Sequence, residues 1–138
     1  MLGSILLVDD DIDILVSIRA ILETEDYEAY TACNADQAKV IITEKDVHIV
    51  IMDYVLPDFT GDQIVKDLKQ IDGNLNIIFL SGFPRVFKAV EDLEFDVQRI
   101  FLKPVNPESL LSAISNIYAE QIDPHQFVDT HQMVYDQS

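Results

Sequence analysis

The chain has 138 residues, of which 49% are hydrophobic, and its 25 acidic and 9 basic side chains give a net charge of −16. This is the composition of one globular domain, large enough to bury roughly two-thirds of its unfolded surface. The strong negative charge repels phosphate backbones, which argues against binding to nucleic acid. No apolar run approaches the roughly 20 residues of a membrane-spanning helix, so no membrane association is expected.

Two features bear on the compartment in which the chain works. The amino terminus, MLGSILLVDD, has no basic leader and meets carboxylates too early for a signal peptide. Cys33 is the only cysteine, so no internal disulfide can form, as is typical of reducing compartments. We therefore expect a cytoplasmic protein, and we interpret Cys33 as a small buried hydrophobic residue.

Strand and helix patterns alternate from the amino terminus onward. Ser4–Val8 is a short apolar run that predicts a strand, and three aspartates follow it directly: Asp9, Asp10 and Asp11. Apolar residues then recur at helical spacing, at Ile12, Leu15, Val16, Ile18, Ile21 and Leu22. Tyr27–Ala32 predicts a second strand. We expect Asp11 to stabilise the amino terminus of the first helix.

The next helix and strand lead to an unusual carboxylate. Asn34 is placed as a helix N-cap, and Gln37 as the far member of a capping box. Val47–Met52 then predicts a third strand, whose Val and Ile content is typical of burial on both faces. Asp53 follows this strand, where an unpaired carboxylate would be costly to desolvate.

The pattern continues through the second half of the chain. Thr60 and Gln63 predict another capping box, at the start of a helix with Ile64, Val65, Leu68 and Ile71 on its buried side. Leu75–Leu80 predicts a fourth strand, residues 84–93 a helix that begins near Pro84, and Gln98–Leu102 a fifth strand.

The last helix is marked by Asn106 as its cap and Pro107 at its first position. Its apolar stripe consists of Leu110, Leu111, Ile114, Ile117 and Tyr118. Beyond Gln121 the chain becomes polar, and Pro124 breaks the helix. We therefore predict one domain over residues 1–121, followed by a polar tail over residues 122–138, with no output domain in this chain.

Five strands alternating with five helices predict a parallel sheet with right-handed crossovers and helices on both faces. In the flavodoxin-like (βα)5 arrangement, with strand order 2-1-3-4-5, the first and third strands flank a crevice at their carboxyl ends. This order would bring together the residues that follow the strands, which are Asp9, Asp10, Asp53, Ser81 and Lys103.

The chemistry of these residues points to a cation and a phosphoryl group. Two carboxylates 4 Å apart repel each other by about 4 kcal/mol at an effective dielectric constant of about 20, so either one carboxyl keeps its proton or a divalent cation binds. All-oxygen donors without His or Cys favour Mg²⁺. Lys103 adds positive charge and Ser81 a hydroxyl donor. The site suits transfer of a phosphoryl group to a carboxylate.

These segments resemble the receiver domain of two-component response regulators, over residues 4 to about 120. The matching motifs are LLVDDD at 6–11, MDYVLPDFTG at 52–61, FLSG at 79–82 and FLKP at 101–104. The resemblance implies that Asp53 accepts a phosphoryl group from a phosphohistidine of a sensor histidine kinase or phosphotransfer protein. The chain would then be a signalling switch, not an enzyme beyond its own Mg²⁺-dependent phosphorylation and dephosphorylation.

The resemblance also implies roles for the surrounding residues. It predicts that Mg²⁺ is held by Asp9, Asp10, Asp53 and the backbone carbonyl of Val55. It predicts that Ser81 and Lys103 contact the phosphoryl oxygens, and that Val55 and Phe83 lie at the rim of the site. On phosphorylation, we expect a change in the partner-binding face built from residues 84–93, 98–102 and 106–119.

One position departs from the family pattern. Many receiver domains carry, three residues before the site lysine, an aromatic residue that changes rotamer on activation, and this chain has Ile100 there. Phe101 cannot take its place, because a shift of one residue along a strand points the side chain to the other face. We therefore expect a switch without an aromatic rotamer change at position 100.

Other functions fit parts of the pattern. A phosphatase of the haloacid dehalogenase type would use Asp9 as nucleophile and Asp11 as acid/base, but this chain lacks that family's cap and is short for it. A phosphorylation-independent binding module of the same fold would be favoured if a site residue were missing. The downstream protein is unknown, and formation of a homodimer on phosphorylation is left open.

Overall fold

The computed structural model describes residues 2–56, 60–85 and 99–122. In these residues five strands form one sheet, and they are β1 Gly3–Val8, β2 Tyr27–Ala32, β3 Ile49–Asp53, β4 Asn76–Ser81 and β5 Arg99–Leu102. Every neighbouring pair is parallel, and the strand order is β2-β1-β3-β4-β5. The predicted flavodoxin-like order 2-1-3-4-5 is confirmed.

The α-helices of the described residues are α1 Ile12–Thr24, α2 Ala35–Glu44, α3 Gly61–Ile71 and α4 Pro107–Ile117, and a π-helical turn, Tyr118–Ile122, follows α4. The chain forms two compact units, Met1–Val105 and Asn106–Ser138, and α4 belongs to the second. From residue 86 onward the helix predicted over 84–93 lies outside the described residues, as does the predicted tail from residue 123 onward. Within the described ranges, no helix has the length and hydropathy needed to cross a membrane.

Two strands end later than predicted, and both shifts concern the site. The third strand was predicted over Val47–Met52, but β3 runs from Ile49 to Asp53, with Asp53 paired to Leu80. The fourth strand likewise extends to Ser81, which pairs with Leu102 of β5. The sheet therefore holds the backbone of Asp53 and Ser81 in place through strand pairing.

One face of the sheet packs against α2 and α3. The strand residues of this core cluster include Leu6, Val8, Val50, Met52, Ile77 and Phe79, and its helix residues include Ala38, Ile42, Ile64, Val65 and Leu68. The alternate strand residues, such as Ile5, Ile49 and Ile78, are also fully buried. The unbroken apolar runs of β1, β3 and β4 follow from this burial on both faces.

Local side-chain caps start the helices where the sequence predicts. Asp11 is the N-cap of α1, and its carboxylate accepts hydrogen bonds from the N–H groups of Asp13 at 3.0 Å and Ile14 at 3.4 Å. Asn106 caps α4 in the same way, through the N–H of Ser109 at 3.0 Å, with Pro107 at the first helical position. The predicted cap at Asn106 and the predicted stabilisation of the first helix by Asp11 are both confirmed, and each side chain satisfies N–H groups that a helix leaves without partners.

The segment between β2 and α2 differs from the prediction in two details. Asn34 accepts a hydrogen bond from the N–H of Gln37, but the Gln37 side chain accepts one from the N–H of Cys33, not from that of Asn34. Cys33 is exposed, so the prediction that it is buried was wrong. It lies beyond the last residue of β2, in the short connection that leads to Asn34, the N-cap of α2.

Candidate functional site

Polar side chains collect at the carboxyl ends of four adjacent strands. Asp9 and Asp10 follow β1, Asp53 ends β3, Ser81 ends β4, and Lys103 follows β5. Because β1, β3, β4 and β5 are neighbours in the parallel sheet, these residues share one edge of it. The switch point in strand order, between β1 and β3, is the position where sheets of this type bind ligands.

Lys103 joins the two buried carboxylates of the site. Its Nζ lies 2.8 Å from Oδ2 of Asp9 and 2.9 Å from Oδ2 of Asp53, distances typical of charge-assisted hydrogen bonds. The N–H of Lys103 donates to the carbonyl of Ser81 at 2.8 Å, which extends the register of β5 and β4. The ammonium group is therefore held between Asp9 and Asp53.

The second oxygen of each carboxylate is bound by the backbone. Oδ1 of Asp9 accepts a hydrogen bond from the N–H of Asp11 at 2.9 Å. Oδ1 of Asp53 accepts one from the N–H of Val55 at 3.1 Å. Both carboxylates are thus held at both oxygens, which fixes their orientation before any ligand binds.

Burial and hydrogen bonding act in opposite directions on the charged groups. Burial raises the pKa of the Asp9 carboxyl above its usual value, and the hydrogen bonds from Lys103 and from the Asp11 N–H offset only part of this effect. Burial lowers the pKa of Lys103, but its hydrogen bonds to Asp9 and Asp53, together with the negative charge of both carboxylates, outweigh burial and leave that pKa raised. Lys103 is therefore a firmly positive group at neutral pH.

Three carboxylates of the site fit a divalent cation. Asp9, Asp10 and Asp53 offer oxygen atoms that all lie within 4.8 Å of one another, with Asp10 exposed and the other two buried. Three negative charges against the single positive charge of Lys103 leave two negative charges uncompensated. Hard oxygen donors with solvent access on one side are the surroundings that Mg²⁺ prefers, because it keeps several waters.

Val55 lies where the chain leaves β3. Its N–H donates to the Asp53 carboxylate, and its backbone forms an isolated antiparallel bridge with Thr60. The Val55 side chain is exposed, as expected for the rim. A metal contact of its carbonyl remains a prediction.

Ser81 is fully buried, and its hydroxyl bonds to the backbone of Phe83. Its Oγ accepts a hydrogen bond from the Phe83 N–H at 3.0 Å and lies 3.4 Å from the Phe83 carbonyl oxygen. A contact from Ser81 to a phosphoryl oxygen would therefore replace a bond to this loop. The Phe83 ring is exposed, with the guanidinium carbon of Arg85 5.1 Å from its centroid.

Ile100 of β5 is partly buried against the same core cluster that contains Phe79, its paired residue in β4. The neighbouring Phe101 points to the opposite face of the strand, as predicted. An aliphatic side chain therefore occupies the position, three residues before Lys103, that carries an aromatic residue in many receiver domains.

Comparison with known proteins identifies the family. A model of the response regulator receiver domain matches residues 5–115. The chain belongs to this family. Receiver domains are the phosphoacceptors of two-component systems, and they interact with histidine kinases or phosphotransfer proteins. The resemblance predicted from the sequence motifs is confirmed.

Two relatives from Bacillus subtilis differ in how much of their length this receiver domain covers. The uncharacterized transcriptional regulatory protein YesN is 34% identical over 119 residues, which are 84% of this chain and 32% of YesN. Sporulation initiation phosphotransferase F is 28% identical over 110 residues, which are 80% of this chain and 89% of that protein. The chain thus spans about a third of YesN but most of the phosphotransferase.

Solved structures confirm the fold class. A CheY-like receiver domain from Methanospirillum hungatei JF-1 matches with a TM-score of 0.80 and 31% identity, covering 88% of this chain and 97% of that one. A receiver domain from Clostridium thermocellum matches with a TM-score of 0.77 and 27% identity, covering 91% of this chain and 98% of that one.

Proposed function

We propose that this receiver domain is a phosphorylation switch, with Asp53 as the residue that receives the phosphoryl group. The observation that supports this assignment is the bond from Lys103 to a buried Asp53 carboxylate, beside Asp9 and Asp10. An oxygen of Asp53 would attack the phosphorus of a phosphohistidine in a sensor histidine kinase or phosphotransfer protein. A P–O bond forms, the P–N bond breaks, and the electron pair leaves on the imidazole nitrogen.

The other residues of the site would bind and orient. Asp9, Asp10, Asp53 and the carbonyl of Val55 would hold Mg²⁺, which supplies positive charge against the oxygens of the incoming phosphoryl group. Lys103 would transfer its hydrogen bond from the Asp53 carboxylate to a phosphoryl oxygen, and Ser81 would donate its hydroxyl proton to another. Positioning and charge compensation are what phosphoryl transfer requires.

The position of Asp11 disfavours the phosphatase alternative. In that reaction Asp9 would be the nucleophile and Asp11 the acid/base. The Asp11 carboxylate caps α1 through two backbone N–H groups. It would lose this stabilisation, typically about 1 kcal/mol, if it turned toward a substrate. The second alternative, a phosphorylation-independent binding module, gains no support because every residue of the predicted site is present.

We predict that Mg²⁺ stabilises the fold, because it offsets the two uncompensated negative charges of the site. A concentration one hundred times the dissociation constant should add about 2.7 kcal/mol to the free energy of unfolding. Thermal melts with and without Mg²⁺ measure this effect. Asp10→Asn should reduce the response, whereas Asp13→Asn, in the exposed first turn of α1 and outside the carboxylate group, should not. An equal response in the wild type and Asp10→Asn would contradict the assignment.

We predict a long-lived phosphoryl group, because the exposed side chains at the rim, Val55 and Phe83, cannot hydrogen-bond or activate the attacking water. Val55→Asn or Phe83→Ala should speed loss of the group, by about tenfold for each 1.4 kcal/mol removed from the barrier. The measurement is decay of the phosphorylated chain after the donor is removed. Val40→Asn, at an exposed position of α2, is the matched control. Loss within seconds in the wild type would show that the rim does not shield the bond.

We predict that the switch moves Ile100 only slightly. When the Ser81 hydroxyl leaves Phe83 for the phosphoryl group, Ile100 is the neighbouring side chain that can follow, and a β-branched residue is stiff at χ1. Mg²⁺ with beryllofluoride, a phosphoryl mimic, should shift the amide resonances of Ser81 and Ile100. The shifts should be absent in Asp53→Asn. Shifts confined to Asp9, Asp10 and Asp53 would show that the structural change does not extend beyond the carboxylates of the site.

A further inference from the structure

The segment that begins with Asp53 is tied to the start of α3. The N–H of Gly61 donates to the carbonyl of Tyr54, and this bond belongs to the bridge between Val55 and Thr60. The side-chain oxygen of Gln63 accepts a hydrogen bond from the Thr60 N–H at 3.3 Å. The first turn of α3 therefore contacts the residue between Asp53 and Val55 directly.

Gly61 has no room for a side chain. A Cβ atom there would lie 2.6 Å from Cε1 of Phe79 and 3.0 Å from the Cα of Tyr54. Phe79 is fully buried, and its ring packs edge-on against the ring of Tyr54, with centroids 5.2 Å apart. The N–H of Tyr54 is bonded to the carbonyl of Leu80 at 2.9 Å. Neither neighbour can move away without disturbing the packed core or the sheet.

Gly73 and Gly82 lack this constraint. A Cβ at Gly73, beyond the end of α3, would have its nearest contact at an ordinary 3.7 Å, from the Lys69 carbonyl oxygen. A Cβ at Gly82 would meet nothing within 4 Å. The close approach at Gly61 is therefore a local property of the contact with Tyr54.

We propose that Gly61 is a positioning residue for phosphoryl transfer. Its lack of a side chain lets α3 begin against Tyr54, and so sets the position of the Asp53 carboxylate on one side of Tyr54 and of the Val55 carbonyl on the other. This inference rests on the proposed function, because it assigns to Gly61 the geometry of the Mg²⁺ site and of the nucleophile. Gly61 itself touches neither the metal ion nor the phosphoryl group.

The test measures Mg²⁺ affinity and the rate of phosphorylation by acetyl phosphate in Gly61→Ala. We expect Mg²⁺ affinity to fall roughly 10- to 100-fold, as it does when a residue that holds a metal ligand in place is removed. Phosphorylation should also be slower. Gly73→Ala should match the wild type. Ile42→Ala, in the α2 core away from the site, should lower the melting temperature and leave Mg²⁺ affinity unchanged.

A second substitution separates positioning from stability. Phe79→Leu removes the atom nearest to the added methyl group, so Gly61→Ala combined with Phe79→Leu should regain part of the Mg²⁺ affinity. A purely structural role predicts the opposite, because the double variant would have two core defects.

If Gly61→Ala does not fold, Gln63→Ala tests the same turn. It should weaken Mg²⁺ binding, and Gln63→Glu, which keeps the acceptor for the Thr60 N–H, should restore it.

The outcomes distinguish this inference from the proposed function. A folded Gly61→Ala that binds Mg²⁺ and takes up phosphoryl groups like the wild type overturns the positioning role and leaves the proposed function intact. A wild-type chain that neither binds Mg²⁺ nor is phosphorylated overturns both.

Discussion

Asp53→Asn is expected to take up no phosphoryl group from acetyl phosphate or from a phosphorylated histidine kinase, whereas the wild-type chain gains one. The amide keeps the size of the carboxylate and one oxygen that can accept a hydrogen bond either from Lys103 or from the Val55 N–H, so the fold should be retained. It lacks the negative charge that makes the oxygen a nucleophile. The intact mass of each protein after incubation with donor and Mg²⁺ measures the effect.

Two further variants complete this experiment. Asp9→Asn removes a predicted metal ligand but leaves the nucleophile, so it should be labelled more slowly than the wild type. Asp11→Asn should be labelled normally, because asparagine is an equally good N-cap for α1. Labelling of Asp53→Asn together with loss of labelling in Asp9→Asn would favour the phosphatase reaction.

Lys103→Met is expected to lower the free energy of unfolding by about 3 to 5 kcal/mol in the absence of Mg²⁺. The reason is that removing the ammonium leaves the carboxylates of Asp9 and Asp53 buried without the cation that contacts both. Methionine approximates the length of the lysine stem, so little packing should be lost. Denaturant unfolding of both proteins in a buffer with chelator gives the difference.

Mg²⁺ should partly reverse this loss of stability. Since the ammonium and the metal ion relieve the same repulsion, the variant should bind Mg²⁺ more tightly than the wild type does. Lys39→Met is the matched control, because Lys39 pairs with Asp67 at 3.2 Å on the exposed surface, where an ion pair contributes about 1 kcal/mol or less. Equal, small losses in both variants would show that Lys103 does not hold the carboxylates.

The fold could be predicted from the sequence because the patterns that indicate it, apolar runs and helix caps, lie within single strands and helices. The apolar runs of β1, β3 and β4 reflect burial on both faces, and the caps Asp11 and Asn106 act within their own helices. The extension of β3 to Asp53 could not be predicted in this way. That residue joins the strand through its pairing with Leu80, and nothing in the residues around Asp53 indicates this partner.

The site shows the same division between what is local and what depends on the fold. The positions of Asp9, Asp53 and Lys103 near the carboxyl ends of their strands were visible in the sequence. Lys103 is 94 residues from Asp9 and 50 from Asp53, so the shared hydrogen bonds follow only from the folded sheet. Gly61 ends the motif MDYVLPDFTG, but its contact with Phe79 requires β4 to lie beside β3.

The central claim is that Asp53 is the residue that carries the phosphoryl group. The most direct measurement treats the wild-type chain with acetyl phosphate and Mg²⁺, reduces the acyl phosphate with borohydride to an alcohol, and identifies the altered residue by peptide mass spectrometry. We expect residue 53 alone to be converted to homoserine. Conversion at Asp9, or at no aspartate in a chain that has gained a phosphoryl group, would contradict it.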